Sequence, residues 1–297
     1  MINNKYHKVV FFGAGPYVSR IVETLKENFE VYVFTTETEQ NQPVILYCSS
    51  KHIQCVSITK FDHKVVEYLE KIGARIAVLA YFGLIVPKDV LDFFELGIIN
   101  VHPSLLPKYR GATPGQAAIL NGDSVTGVSI IKLDEQVDHG AILAQVQEKI
   151  KPNDTSETLY ERLFQKGAEL LSKTLPKYIS GDLKPSEQNH SKATFTERLT
   201  RESGFIDLSQ KPIANSHPST SLRASQLNRM IRAYHPWPGV WFRVNLKLKT
   251  ENSKLQGKII KLLPEGKIQV EGKNVMKLSD FANGYPEAEE IIKKLDF

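Results

Sequence analysis

The sequence predicts an α/β protein in which a doubly wound, mostly parallel sheet is followed by a small C-terminal β-barrel. Two observations predict the sheet: strand-like and helix-like segments alternate over the first half of the chain, and the strands are short apolar runs. The barrel is predicted because several short strands with glycine turns close the chain. At 297 residues, two domains are expected.

In the first half, the segments follow the order that a doubly wound sheet requires. The predicted strands are KVVFFG, EVYVFTT, ARIAVLA and LGIIN, and the helices between them are YVSRIVETLKEN, HKVVEYLEKIG and PKDVLDFFE. The segment SVTGVSIIKLDEQVDHGAILAQVQEKI continues the sheet. A long amphipathic helix, SETLYERLFQKGAELLSKTLPKYI, comes next, with Asp154 and Glu157 as its expected capping pair.

The rest of the chain is predicted to be a linker and a second domain. Residues 183–204 are polar and show no clear hydrophobic period, which is typical of a linker. Beyond them come a helix, SLRASQLNRMIRAY, a rigid corner, HPWPGVW, and the short basic strands. We therefore expect an N-terminal domain over residues 1–182 and a C-terminal domain over residues 205–297.

Charge is distributed unevenly between these two parts. Residues 205–297 hold 15 Lys and Arg against 9 Asp and Glu, whereas the first 204 residues hold 23 against 24. A basic C-terminal part beside a near-neutral N-terminal part favours a polyanionic partner for the former, although basic surfaces often serve only solubility.

No apolar run is long enough to cross a bilayer, and the N-terminus is too polar for a secretion signal. We therefore expect a cytoplasmic protein without a membrane partner. Cys48 and Cys55 fit neither a zinc nor a thioredoxin spacing, so they are expected to be reduced, packed thiols.

Gly13 and Gly15 form part of a dinucleotide-binding fingerprint after the first strand. The third glycine of that motif is missing, because Ser19 occupies its place. A tight strand-to-helix turn is the favoured interpretation, and a nicotinamide-binding site is the weaker alternative.

Asn100 is the last residue of the apolar run LGIIN, and His102 follows two residues later, just before the prolines begin. Residues i and i+2 of a strand point to the same face, so both side chains should project into one space. Asp138 follows another strand and precedes Gly140, which places it in a loop at a strand end. Taken singly, each residue is more simply explained by packing or a turn; together they predict an active site.

This combination suits acyl transfer to an amine that the substrate itself brings. An amide and an imidazole can donate hydrogen bonds to an oxygen that becomes negative, and one such donor is typically worth ~10²–10³ in rate. A carboxylate beside a histidine raises the pKa of the imidazole and fixes its orientation. It can also help to remove a proton from the attacking amine.

Three blocks of the sequence carry a family resemblance: NVHPSLLPKYRGATP, NGDSVTGVSIIKLDEQVDHGAILAQ and MIRAYHPWPGVW. They resemble the methionyl-tRNA formyltransferases, which belong to the family of formyltransferases that use 10-formyltetrahydrofolate. The resemblance implies a Rossmann-like N-terminal domain that does not bind NAD, a C-terminal OB-like barrel, folate and aminoacylated initiator tRNA as partners, and no metal. A monomer is also expected.

The resemblance also implies residue roles. Catalysis falls to Asn100, His102 and Asp138, and folate contact to the loop Ser104, Leu105, Leu106 and Pro107. The basic C-terminal part supplies the candidates for phosphate contact: Arg229, Arg232, Arg243, Lys247 and Lys249.

The segment after the second strand departs from the family pattern. The tRNA-modifying enzymes commonly carry a loop rich in Pro, Arg and Lys there, whereas this chain reads TTETEQNQPVILYCSS, without a basic residue. Either the barrel provides most of the grip on tRNA, or the acceptor is another amine, such as an amino sugar attached to a nucleotide. An RNA-binding protein without activity is a third possibility, which the intact Asn100, His102 and Asp138 disfavour.

Overall fold

The structure, a computed structural model, describes residues 7–36, 43–208, 220–244 and 254–295. The chain divides into two compact units that do not follow the sequence order strictly. The first unit comprises Met1–Pro114, Val125–Lys149 and Tyr160–Thr196. The second comprises Gly115–Ser124, Ile150–Leu159 and Glu197–Phe297.

The described residues of the first unit form nine strands. They are β1 (His7–Gly13), β2 (Phe29–Thr35), β3 (Gln54–Ser57), β4 (Ile76–Ala80), β5 (Ile98–His102), β6 (Arg110–Gly111), β7 (Val125–Lys132), β8 (Ile142–Lys149) and β9 (Phe195–Thr196). Seven of these strands form one sheet in the order β3-β2-β1-β4-β5-β7-β8, and β6 pairs with β9 separately.

The large sheet is parallel from β3 to β5 and antiparallel at its other edge, where β7 pairs with β5 and β8 with β7. Every residue of β4 and β5 is buried, as expected for central strands that are covered on both faces. The α/β class and the mostly parallel sheet predicted from the sequence are confirmed.

Among the residues that the structure describes before position 180, six helices occur. They are α1 (Ser19–Lys26), α2 (Pro43–Ser50), α3 (His63–Ile72), α4 (Lys88–Phe93), α5 (Pro114–Leu120) and α6 (Ser156–Ile179). Helices α2 and α5 and strand β3 were not predicted from the sequence. Helix α3 begins where the Asp62 side chain accepts a hydrogen bond from the Val65 N–H, and it ends at Gly73 in the left-handed conformation, φ 67°.

The turn between β1 and α1 needs its glycines for close approach. Gly15 has φ 82°, and a Cβ there would lie 2.9 Å from the Tyr81 ring. A Cβ on Gly13 would lie 2.4 Å from the Phe11 ring. Packing alone therefore accounts for both glycines, in keeping with the tight turn favoured from the sequence.

Helix α6 is capped one residue further along than predicted. The Thr155 N–H donates to Thr158 Oγ1 at 3.0 Å, and the Thr158 N–H donates back to Thr155 Oγ1 at 3.3 Å. Asp154, placed in the predicted pair with Glu157, is buried and accepts from the Lys151 N–H at 2.7 Å. The predicted pair is thus displaced by one position, because two threonines supply the reciprocal bonds.

The second unit holds a separate antiparallel sheet. Its later elements are α7 (Thr220–Ala233), β10 (Val240–Arg243), β11 (Ile259–Leu263), β12 (Lys267–Val270), β13 (Met276–Lys277), α8 (Leu278–Gly284) and α9 (Ala288–Leu295). The strands pair in the order β10-β11-β12-β13. They enclose an apolar core that includes Val240, Phe242, Ile260, Ile268 and Phe281.

Among the described residues, no helix is both long enough and apolar enough to cross a bilayer. The domain boundaries at residues 182 and 205 stay a prediction.

Candidate active site

Strand β5 delivers Asn100 and His102. Both side chains are buried, and they lie two residues apart on the same face of the strand, as its alternation requires. Asn100 is opposite Ile131 and His102 is opposite Ser129 on β7. The pair is therefore held by a central strand that pairs with β4 up to Asn100 and with β7 as far as His102.

Asp138 lies in the loop between β7 and β8. Because β7 runs antiparallel to β5, with Lys132 opposite Ile99, this loop leaves the sheet near the beginning of β5. The loop is tight, since a Cβ on Gly140 would lie 1.8 Å from the Lys132 carbonyl oxygen. Asp138 itself has φ 49°, a left-handed conformation that residues with side chains adopt rarely.

The structure brings the three predicted catalytic residues together. Asn100 Nδ2 donates to Asp138 Oδ1 at 3.1 Å, and His102 Nδ1 lies 3.3 Å from the same oxygen. The other carboxylate oxygen, Oδ2, accepts from the Gly111 N–H at 2.7 Å. The carboxylate is thus fixed by an amide, an imidazole and a backbone donor.

The second ring nitrogen of His102 defines the protonation of the pair. Nε2 lies 3.0 Å from the Tyr109 carbonyl oxygen, which can only accept, so Nε2 carries a proton. Nδ1 then faces a carboxylate, and a second proton between Nδ1 and Asp138 Oδ1 removes the repulsion of two lone pairs. The geometry therefore favours an imidazolium paired with a carboxylate.

The electrostatics agree with this assignment. Burial alone would lower the pKa of His102, but the charge and hydrogen bond of Asp138, with the Tyr109 carbonyl, raise it above 6.5. Burial would likewise raise the pKa of Asp138, yet His102, the Gly111 N–H and the charge of Arg110 lower it below 3.8. Both shifts stabilise the ion pair near neutral pH.

Behind Asp138 lies a layer of buried polar side chains that was not predicted from the sequence. Gln188, only 5% exposed, donates from Nε2 to the carbonyl oxygens of Asp138 at 2.9 Å and Gly140 at 2.7 Å. Its Oε1 accepts from Arg110, which is 4% exposed. No motif marks Gln188, because it belongs to the polar segment expected to be a linker.

The proposed folate loop is anchored through its own backbone. The Leu106 N–H donates to Ser129 Oγ at 3.0 Å, and its carbonyl accepts from Gln145 Nε2 at 2.9 Å. Ser104 and Leu106 are buried, whereas Leu105 and Pro107 are half-buried. Accessible side chain on this loop therefore comes from Leu105 and Pro107.

Three of the five candidate phosphate contacts are described, and each already binds a backbone carbonyl. Arg229 Nε donates to Leu120 at 3.0 Å, Arg232 Nη1 to Asp154 at 2.8 Å and Arg243 Nη1 to Gly257 at 2.7 Å. A guanidinium has five N–H donors, so these bonds leave others for a phosphate. Lys247 and Lys249 lie outside the described residues.

Over the described ranges, no three His, Cys, Asp or Glu side chains are grouped as the ligands of a metal ion would be.

Comparison with known proteins places this geometry in context. Residues 8–175 match the family model described as formyl transferase. Over 180 residues the chain is 43% identical to a methionyl-tRNA formyltransferase of Chloroflexus aurantiacus, covering 61% of this chain but 54%, about half, of that protein. The methionyl-tRNA formyltransferase of Thermus thermophilus is 30% identical over 94% of this chain and 96% of its own length.

Solved structures show the same fold. A phosphoribosylglycinamide formyltransferase from Bacillus halodurans, 28% identical, superposes with a TM-score of 0.53 over 59% of this chain and 96% of its own. A sugar N-formyltransferase from Shewanella reaches 0.64 over 87% of this chain and 96% of its own, at 19% identity.

Proposed function

The chain belongs to the formyl transferase family, and we propose that it transfers the formyl group of 10-formyltetrahydrofolate to the amino group of methionyl-tRNA. The family assignment predicted from the NVHPSLLP and DEQVDHG blocks is confirmed. The observation that carries the proposal is the hydrogen-bonded group of Asn100, His102 and Asp138, present in a chain that aligns with a methionyl-tRNA formyltransferase over nearly its whole length.

In this proposal Asn100 stabilises the developing negative charge on the formyl oxygen. One amide N–H of Asn100 is bound by Asp138, which orients the side chain and leaves its second N–H for the substrate. A single donor of this kind is typically worth ~10²–10³ in rate, because it is already oriented toward the oxygen when the charge develops.

His102 contributes positive charge and not a free N–H. Both of its nitrogens have protein partners, Asp138 and the Tyr109 carbonyl. A buried imidazolium close to Asn100 favours an anionic formyl oxygen over a neutral one. Donation of its Nε2 proton to that oxygen would require the contact with Tyr109 to break first.

Asp138 is the group that we propose receives the proton of the amine. As the amino nitrogen bonds to the formyl carbon and the carbon–nitrogen bond to the folate breaks, the amine loses one proton and the folate nitrogen gains one. The Asp138 carboxylate can accept the proton from the amine and, as a carboxylic acid, give it to the departing folate nitrogen, which returns the pair with His102 to its starting charge. Positioned groups of this kind contribute ~10²–10⁴ in rate.

We propose that the folate lies against the Ser104–Pro107 loop. The formyl donor supplies the formyl carbon and the departing nitrogen. Because the backbone groups of Leu106 are already bonded within the protein, the loop fits a folate through apolar contact of Leu105 and Pro107 more than through backbone hydrogen bonds.

For the tRNA we propose a C-terminal OB-like barrel as the main binding surface. The support is the excess of basic residues after residue 204 and the antiparallel sheet β10–β13. Arg229, Arg232, Arg243, Lys247 and Lys249 are the proposed phosphate contacts. We further propose a cytoplasmic monomer that requires no metal.

A formylation assay with two acceptors tests this proposal. With labelled 10-formyltetrahydrofolate, we expect the purified chain to label methionyl-tRNA and to leave a nucleotide-linked amino sugar unlabelled. Label on the sugar alone would replace the proposed acceptor while keeping the reaction. Without label on either acceptor, and with tRNA still bound, the protein would be an RNA-binding protein.

A further inference from the structure

Asp138 adopts an unfavourable backbone conformation, and the structure shows what holds it there. A non-glycine residue at φ 49° costs free energy and persists only where its surroundings fix it. The two hydrogen bonds from Gln188 Nε2, to the carbonyl oxygens of Asp138 and Gly140, hold this turn on either side of His139. Gln188 thus fixes the backbone from which the carboxylate extends.

The other end of the same side chain binds Arg110. Gln188 Oε1 accepts from Arg110 Nη2 at 2.7 Å and from Nε at 3.2 Å, and Nη2 lies 2.8 Å from His190 Nδ1. The residue after Arg110 is Gly111, whose N–H binds Asp138 Oδ2. The buried amide of Gln188 therefore bonds to both segments that hold the carboxylate. Its N–H groups donate to the Asp138–Gly140 turn, and its oxygen accepts from Arg110.

Strand pairing holds the segment that follows Gln188. Arg110 and Gly111 form β6, which pairs in parallel with Phe195 and Thr196 of β9. The Arg110 N–H also donates to the Thr194 carbonyl at 2.8 Å. The part of the polar segment from residue 188 to residue 196 is thus joined to the residues around Asp138 by main-chain and side-chain bonds.

We propose that Gln188 is a positioning residue for formyl transfer: it holds the Asp138 turn and the Arg110–Gly111 segment at a fixed separation, so that the carboxylate stays against His102 and Asn100. This inference rests on the proposed function. Gln188 acts through Asp138 and reaches no substrate itself.

The test compares Gln188→Ala with Tyr178→Phe. Tyr178 is the matched control, because its hydroxyl makes a single long-range bond, to the Leu96 carbonyl at 2.8 Å, and it is not among the contacts of the site. For Gln188→Ala we expect kcat to fall on the order of 10- to 100-fold with little change in KM, since a small misplacement of a catalytic group has such an effect. Tyr178→Phe should keep wild-type kcat.

A second readout separates positioning from simple loss of stability. In Gln188→Ala the carboxylate is released from its place, so the pKa of His102, followed by NMR, should fall toward its ordinary value; in Tyr178→Phe it should not move. Wild-type kcat together with an unchanged His102 titration in Gln188→Ala would overturn the inference. An equal loss of kcat in Tyr178→Phe would overturn it as well.

Two further variants keep the inference falsifiable. If Gln188→Ala does not fold, Gln188→Asn takes its place. Its amide is one methylene too short to bond both segments, so kcat should fall. A wild-type kcat in Gln188→Asn would refute the proposal. Gln188→Glu keeps an acceptor for Arg110 but places a carboxylate oxygen, which cannot donate, beside the two carbonyl oxygens. This variant should therefore also lose kcat. If the wild-type chain proves inactive, the His102 titration still tests the role of Gln188 without the proposed reaction.

Discussion

Polar groups are buried and paired around Asp138, whereas in the C-terminal part of the chain many of them are exposed cations. Around Asp138, both carboxylate oxygens accept hydrogen bonds, both nitrogens of His102 have partners, and the amide behind them is only 5% exposed. In the C-terminal part, residues 205–277 hold 13 Lys and Arg against 4 Asp and Glu, and Arg243 is exposed.

This difference predicts how each region responds to substitution. A buried polar network depends on every member, because a donor or acceptor left unpaired there destabilises the protein by the full free energy of its desolvation. An exposed set of cations acts mainly through the summed field and the release of counterions, so each member contributes little. Single substitutions should therefore be severe in the first region and mild in the second.

Among the hydrogen-bond donors of the buried region, Asn100 is the one whose loss, in Asn100→Ala, should have the largest effect. Because the variant loses the only N–H proposed to face the formyl oxygen without rearrangement, kcat should fall ~10²–10³-fold. Single-turnover formylation measures this directly. Asn189→Ala, in an exposed position, is the control; if Asn100→Ala remained within a fewfold of wild type, the proposed donor would be wrong.

The protonation of His102 provides a sharper test of the buried region. In the wild type we expect its imidazole to titrate above pH 6.5, because the charge of Asp138 outweighs burial. In the Asp138→Asn variant the negative charge is gone and burial of the imidazole remains, so the pKa of His102 should fall below 6.5. Histidine NMR over a pH series checks both values. A wild-type pKa below 6.5 would show that the pair is not ionic.

The smallest effect belongs to the basic region. Arg243→Ala should weaken tRNA binding modestly, and it should reduce the slope of log affinity against log salt by about one, as expected for the loss of one phosphate contact. Arg20→Ala, an exposed helical arginine paired with Glu23, should leave the slope unchanged. Should the wild-type affinity prove insensitive to salt, the basic region would not be the binding surface.

Much of the site was predictable because it depends on local rules. Period-two alternation alone places Asn100 and His102 on one face of β5, and the glycine after DEQVDH indicates the loop that carries Asp138. Gln188 was not predictable in this way. Its role arises from contacts with Asp138 and Arg110, which are far from it in the sequence. The residues next to it in the chain are polar and show no hydrophobic periodicity.

The fold shows the same division between local and distant causes. The alternation of strand-like and helix-like segments predicted β1, β2, β4 and β5. Helix α2 was missed because the apolar residues of PVILYC form a continuous run without helical spacing, and β3 was missed because it is a four-residue edge strand. The antiparallel direction of β7 is a further case, since no local signal in VTGVSIIK states which way the strand runs.

The most direct test of the account is the comparison of chemistry with binding in Asp138→Asn. The carboxylate contacts Asn100 and His102 together, so its loss should lower the single-turnover rate of formyl transfer to methionyl-tRNA ~10²–10⁴-fold and leave the affinity for that tRNA unchanged. Asp134→Asn, four residues earlier and paired with His139, should behave as wild type. Formyl transfer by Asp138→Asn at the wild-type rate would contradict the account.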